Sequence, residues 1–434
     1  MKRILIINSC FLLLVMATLS SCKKEIGDLN NPTIEDFLKN ASQAQLNNLV
    51  SGTESGMRNN LGMYLDVVGA IGREMYRFSQ ADPRYLSDLL GAGNATLNNN
   101  TFYLTNPWGS RYRVVKNCNV LIEAANVSTL IGANEKKGFT GFAKTIKAYQ
   151  LLLNLNLTYS NGIRIDVADP NNLGPVVTND AALAAIANLL DEAKTDLSGA
   201  DITLALSPGF EGFKDKAGLI KFNRALAARV AVYRQQWTAA LTALGESFFD
   251  LNGNLNTGVF SVFGTGSGDQ LNPAFFPQNQ GGEIRLAHPS YATDILPGDD
   301  RLAKATLRNA AATSGGLSSN RDVWVYTSSL APVPIIRNEE LILIYAEAKI
   351  QTNAFPDAIV ALNRIRTSHN LPAYAGGITQ AALITELLYQ RRYSLFFEGH
   401  RWVDMRRYNR LNQLPIDRVG DDVWEKFPLP LTEN

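Results

Sequence analysis

Apolar residues recur three and four positions apart through several stretches of this chain, the spacing of an amphipathic helix. The sharpest case runs from Arg337 to Pro372. Ile342, Tyr345 and Ala346 share one face of a first helix, Phe355-Pro356-Asp357 makes the turn, and Ala358, Leu362 and Ile365 line a second helix. Pro356 suits a helix start, where its missing N–H is not needed. Set in a frame of about 34 residues, these positions match the large and small pattern of tetratricopeptide repeats. A second pair is expected over 217–250, with Ala227 and Ala228 facing Ala240 and Leu244 and Trp237 at the turn. A third, over 140–200, joins Phe142–Tyr159 to Ala181–Leu197 across the turn signals Asn161-Gly162 and Asp169-Pro170. A fourth, over 40–80, sets 40–57 against 61–80. A generic helical bundle satisfies the same periodicity.

Between these pairs, 81–107 and 252–334 lose the helical period and fill with Gly, Asn, Ser and Pro. Loops this long are uncommon in compact domains and are usually functional or disordered. Phe260, Phe263, Phe275, Phe276, Tyr291, Trp324 and Tyr326 within the second stretch argue for order. The expected fold is mostly α, a single large domain. Tetratricopeptide-like hairpins form the scaffold, and long irregular loops with minor β carry the ligand site.

The first residues follow a different pattern. Lys2 and Arg3 precede an apolar run from Ile4 to Leu19, then Leu19-Ser20-Ser21-Cys22. That is the order of a secretory signal, and the run is too short and interrupted for a comfortable membrane span. The last four residues resemble a bacterial lipobox, which predicts cleavage after residue 21 and acylation of Cys22. The chain then divides into a signal peptide (1–21), a lipidated N-terminus and tether (22–39) and the main domain (40–434). Stable attachment takes more than one acyl chain.

Composition narrows the function. Of 434 residues, 46% are hydrophobic and 19% charged, and 41 basic side chains face 40 acidic ones. A net charge of +1 gives no electrostatic reason to expect nucleic-acid binding. Of three cysteines, Cys10 lies in the signal and Cys22 at the acylation site, which leaves Cys118 as a free, small apolar residue. His288, His369 and His400 are far apart, and no phosphate-binding loop or nucleophile elbow occurs. No catalytic set, metal site or cofactor is expected. Glu398, His400 and Asp404 could form an acid–base group. The alternative is an ion-pair network that ties the last helices to the frame, and Arg401 and Asp404 are spaced to pair on a helix.

The C-terminal third adds a resemblance. Arg337–Ala348 resembles the hallmark helix of the SusD/RagB nutrient-binding lipoproteins, and Asn363-Arg-Ile-Arg366 with Leu371-Pro372 resembles their next helix. Gln390–Tyr408, with its Phe-Glu-Gly-His-Arg core, is similar to the family's most specific motif. Trp108, Tyr112 and the helix from Ala143 fit the N-terminal half. In the family, Trp108, Tyr112, Glu398, Gly399, Arg401 and Asp404 would be structural. The resemblance implies an oligosaccharide-binding lipoprotein on the outer membrane, anchored by lipid and facing the cell exterior. Its partner would be a SusC-like TonB-dependent transporter, over which it acts as a lid. Family ligand contacts come from the loop ahead of the Trp-x3-Tyr helix and from loops before the hallmark. Those regions here offer Tyr76, Arg77, Asp82, Tyr85, Phe102, Tyr103, Tyr291, Trp324 and Tyr326 as ligand candidates. Peptide or glycoprotein uptake by the same lid, and a tetratricopeptide scaffold for protein partners, remain open.

Overall fold

A computed structural model describes residues 34–433, with side chains from Phe37 onward. The expected signal peptide, Cys22 and most of the tether lie outside them. Thirteen α-helices and eight strands occur among the described residues. The first half holds α1 (Ile34–Asn40), α2 (Gln43–Arg58), α3 (Leu61–Ile71), β1 (Met75–Phe78), α4 (Phe102–Val127) and α5 (Ala133–Thr158). Next come β2 (Ile163–Arg164), β3 (Val176–Val177), α6 (Asn179–Ser198), α7 (Lys216–Tyr233) and α8 (Trp237–Gly245). The loop-rich part holds β4 (Gly258–Ser261), β5 (Ile284–Ala287), α9 (Pro289–Thr293), β6 (Ala305–Ser314), β7 (Leu317–Val323) and β8 (Val333–Arg337). The chain closes with α10 (Asn338–Gln351), α11 (Phe355–Ser368), α12 (Gln380–Ser394) and α13 (Arg401–Arg407).

From α4 to α8 each helix packs on its sequence neighbours, and α10 carries the array on by packing against α8, α11 and α12. Local chemistry starts the helices. Ser42 and Gln45 form a capping box on α2, and Thr178, Asp215 and Thr379 cap α6, α7 and α12 through their side-chain oxygens. Small residues let them approach: a Cβ added at Gly141 of α5 would lie 2.7 Å from Leu197 of α6. Three of the four expected pairs are present, over α5–α6, α7–α8 and α10–α11. The pair over 40–80 is different. Its second helix stops at Ile71, residues 75–78 form β1, and α2 packs on α4. Met75-Tyr-Arg-Phe78 is buried on both faces, so it shows no alternation that would mark a strand.

Two loop expectations also change. The stretch 81–107 ends in the first turns of α4, because the helix starts at Phe102, five residues before Pro107, which it carries inside. The stretch 252–334 supplies most of an antiparallel sheet in the order β1-β5-β7-β6. The Ser-rich segment is a hairpin, turned at Gly315-Gly316, whose φ angles of 54° and 81° suit a two-residue turn. Its inward Ser319 donates to the carbonyl of Ala287 at 2.7 Å, so a polar residue occupies a core position.

The C-terminal motif is the ion-pair network. Arg229 of α7 binds Glu340 of α10 at 2.6 Å, Arg407 of α13 binds Glu347 of α10 at 2.7 Å, and Arg391 of α12 binds Asp404 at 2.6 Å. Asp404 also takes Arg407 at 2.9 Å, so its partners are not the expected Arg401. Arg401 is the first residue of α13, and burial lowers its pKa to about 10. Glu398 binds Arg337, whereas His400 lies 3.8 Å from Glu340. The three groups of the acid–base alternative therefore face separate partners. Burial holds His400 down to about 4, which keeps it neutral. Gly399 sits at φ 87° with its absent Cβ 3.3 Å from Tyr64. A side chain there meets both a backbone penalty and a neighbour. Gly399→Ala should cost ~1–3 kcal/mol, read as a lower urea midpoint; an unchanged midpoint would show that the turn accepts other residues.

Candidate ligand-binding surface

The antiparallel register of β1 and β5 places Arg77 directly opposite Arg285. Two like charges in that position repel. Asp66 of α3 resolves the conflict from below. It accepts from Arg285 at 2.5 and 2.8 Å and lies 3.4 Å from Arg77, with all three side chains buried. Above them lies the ring of Phe276, its centroid 4.0 Å from the Arg285 guanidinium and 4.8 Å from that of Arg77. Such contacts strengthen once water is removed.

Outward from this centre, Arg77 donates to Glu283 at 2.5 Å, and Glu283 accepts from the Ser79 hydroxyl at 2.7 Å. The Tyr85 ring lies 5.3 Å from Arg77 and meets Phe102 edge-on at 5.2 Å. Arg84 covers Phe102 at 4.9 Å and forms a two-pronged bond with Asp82, at 2.9 and 2.5 Å. The result is a strip of alternating arginines and rings, from Phe276 to Arg84. Its inner end is buried, and its outer end exposes Arg84 with half-buried Phe102 and Asp82.

A strap formed by the chain from Asn272 to Glu283 holds Phe276 in place. Asn279 takes its N–H to Asp322 at 2.8 Å, Gln278 donates to Thr306 at 2.7 Å, and Arg308 donates to the carbonyl of Gln280 at 2.9 Å. Phe275 of the same strap lies 6.0 Å from Trp324. Trp324 follows directly on β7, is half-buried, and donates its N–H to Lys304. The strap thus joins the strip to the one candidate indole.

The nine ligand candidates separate by burial. Tyr76, Tyr85, Tyr103, Tyr291 and Tyr326 are between 0% and 7% exposed. The hydroxyls of Tyr103, Tyr291 and Tyr326 donate inward to Asp88, Arg301 and Phe397, and the Tyr76 ring lies 5.0 Å from that of His288. These tyrosines belong to the packed interior. Arg77 is buried and Asp82, Phe102 and Trp324 are half-buried, so these last three present accessible atoms. Asp66, Arg84, Phe276, Glu283 and Arg285 complete the arrangement without having been singled out as site residues. Only the strand register reveals the Arg77–Arg285 pair. Trp108 and Tyr112 pack edge to face in α4, with Trp108 buried. Cys118 is buried too, and burial pushes its thiol up to about 12.

What the surface can do is bind. Ring faces suit the apolar face of a sugar, and the Arg–Asp and Arg–Glu pairs at its rim suit hydroxyls. Among the described residues, no three metal-ligating side chains converge. Nor is any helix among them long and apolar enough to cross a membrane.

The profile of the SusD family matches residues 311–425, which span β6 to the segment after α13. No curated protein matches the chain by sequence. A SusD superfamily protein from Bacteroides vulgatus superposes with a TM-score of 0.70 at 15% identity, covering 90% of this chain and 96% of its own. A SusD-like carbohydrate binding protein from the same species gives 0.64 at 18% identity, covering 85% and 84%. Surface glycan-binding protein A from Bacteroides uniformis gives 0.64 at 15% identity, covering 85% and 88%.

Proposed function

We propose that this chain, SusD-like in its profile match over residues 311–425 and in its fold, captures an oligosaccharide at the cell surface. It then passes the glycan to a SusC-like TonB-dependent transporter in the outer membrane, held there by lipid on Cys22. The observation that carries this reading is the arginine and aromatic strip with its accessible Phe102, Arg84, Asp82 and Trp324. Two of the similar structures bear the names of carbohydrate- and glycan-binding proteins, which supports the same ligand class. The mechanism is capture without bond breakage. The preformed interior of the strip spares the ligand most of the cost of ordering its site. The near-neutral net charge suits an uncharged ligand.

The test is calorimetric titration of purified protein with neutral oligosaccharides of several linkages. Phe102→Ala and Trp324→Ala should each weaken binding about tenfold, the worth of one stacked ring. Unchanged affinity in both variants would remove the strip from the ligand site. Turnover of the glycan would replace binding with hydrolysis, and selective capture of peptides would favour the peptide-uptake reading.

A further inference from the structure

A cleft of about 390 Å³ opens where α5, α7, α10 and α13 end, and it shares no residue with the strip. Its volume falls within the ordinary range for small-ligand sites. Trp237, the first residue of α8, is half-buried in its wall, and among the described residues its indole N–H has no protein partner. The hydroxyls of Tyr159 and Tyr233 and the side-chain amides of Gln235 and Asn409 are equally uncommitted there. Asp180, exposed at the rim, forms no ion pair among the described residues.

Three of these positions carry a left-handed backbone: Tyr159 at φ 47°, Gln235 at 56° and Asn409 at 54°. Gln235 and Asn409 each follow a helix cap, where glycine would fit at less cost. Tyr159 has ψ −114°, an uncommon conformation for a ring-bearing residue. Tyr159 and Gln235 thus stand where the backbone favours glycine, while Asn409 is a residue the position accepts. The charge in the cleft is also specific. Arg407 lies 5.0 Å from the Tyr233 ring and 5.3 Å from the Tyr408 ring, but Glu347 and Asp404 neutralise it. An anionic ligand would meet the Asp180 carboxylate. An apolar one would leave the donors and acceptors unpaired.

We propose that this cleft is a second carbohydrate site, which takes a segment of a neutral oligosaccharide against Trp237 and binds its hydroxyls through Asp180, Gln235 and Asn409. It stands independently of the strip. The test follows the indole N–H signal of Trp237 by NMR, assigned by its loss in Trp237→Phe. Gluco-, xylo-, manno- and galacto-oligosaccharides are titrated to about 10 mM, the range of weak single sites. At least one should move the signal. Asp180→Ala or Gln235→Gly, both exposed, should weaken that response about fivefold, one hydrogen bond's worth. Phe102→Ala and Trp324→Ala should leave it intact, which separates this site from the strip. If no sugar moves the Trp237 signal, or if both rim variants respond like the parent, the proposal fails.

Discussion

Arg337→Met should destabilise the protein by ~3–5 kcal/mol, the cost of stripping the partner from buried charge. Arg337 closes β8 and enters α10. It donates to Glu398 at 2.9 and 3.2 Å, to the carbonyl of Ser394 at 2.7 Å and to Glu339. All three charged side chains are buried, so the variant leaves two carboxylates without the guanidinium they share, and only the Lys304 charge, which forms no ion pair with either, acts on both. Glu339 keeps His369 at 2.8 Å, which shields only one of them. Methionine fills the volume, so the loss reads as charge and not as a cavity. Adding Glu339→Gln and Glu398→Gln to the variant should recover most of the stability, because apolar or neutral replacement of a whole buried group is often tolerated. Urea denaturation of parent, single and triple variants measures both steps. A single variant within about 1 kcal/mol of the parent would mean that water reaches the site.

The second large effect has the opposite sign. Glu74, between α3 and β1, is buried; its Oε1 accepts weakly from the Phe397 N–H at 3.4 Å, and Oε2 has no partner among the described residues. Burial lifts its pKa from 4.5 to about 8. Below 4.5 both folded and unfolded chains hold the proton and the group costs nothing. Between 4.5 and 8 the unfolded chain ionises while the folded one does not, so stability falls as pH rises. By linkage the loss levels off above 8 at about 4–5 kcal/mol. Glu74→Gln keeps the shape and the acceptor but cannot ionise. It should match the parent near pH 4.5 and exceed its stability by several kcal/mol at pH 9. Parallel stability curves at the two pH values would show that Glu74 is ionised in the folded protein. The acid limb belongs to other groups. Against the penalty of burial, Arg391 and Arg407 hold Asp404 down to about 2, and Arg229 holds Glu340 there as well. Their contribution is lost as pH falls from about 4 towards 2.

The helical half was legible because its information is local. Ala358, Leu362 and Ile365 mark a buried face by spacing alone, and Pro356 marks its start. The sheet was not, because its information is not local. Met75–Phe78 is buried on both sides, and its partner strand lies beyond α8 in the sequence. Ser319 occupies an inward position only because the Ala287 carbonyl waits there. The same limit applies to the ligand surface. Phe102 and Trp324 could be picked as aromatics in polar surroundings. That five tyrosine and aromatic neighbours would turn inward, and that Arg77 and Arg285 would share Asp66, depended on register. The C-terminal motif shows a third case. Its charges were visible in order, but Asp404 chose Arg391 and Arg407 over Arg401 because two helices meet there in space.

The pairing of β1 with β5 also sets an order of appearance. A chain leaving the ribosome presents Asp66, Arg77, Tyr85 and Phe102 long before Phe276, Glu283 and Arg285 exist. Each helix from α4 to α8 can dock on the one just made, since every contact it needs has already emerged. The strip cannot. Until the strap arrives, Arg77 lacks Glu283, Asp66 lacks Arg285, and the Phe276 ring that covers both arginines is missing. The surface proposed to bind ligand is thus withheld from the nascent protein and comes into being only when the two halves of the chain close on each other.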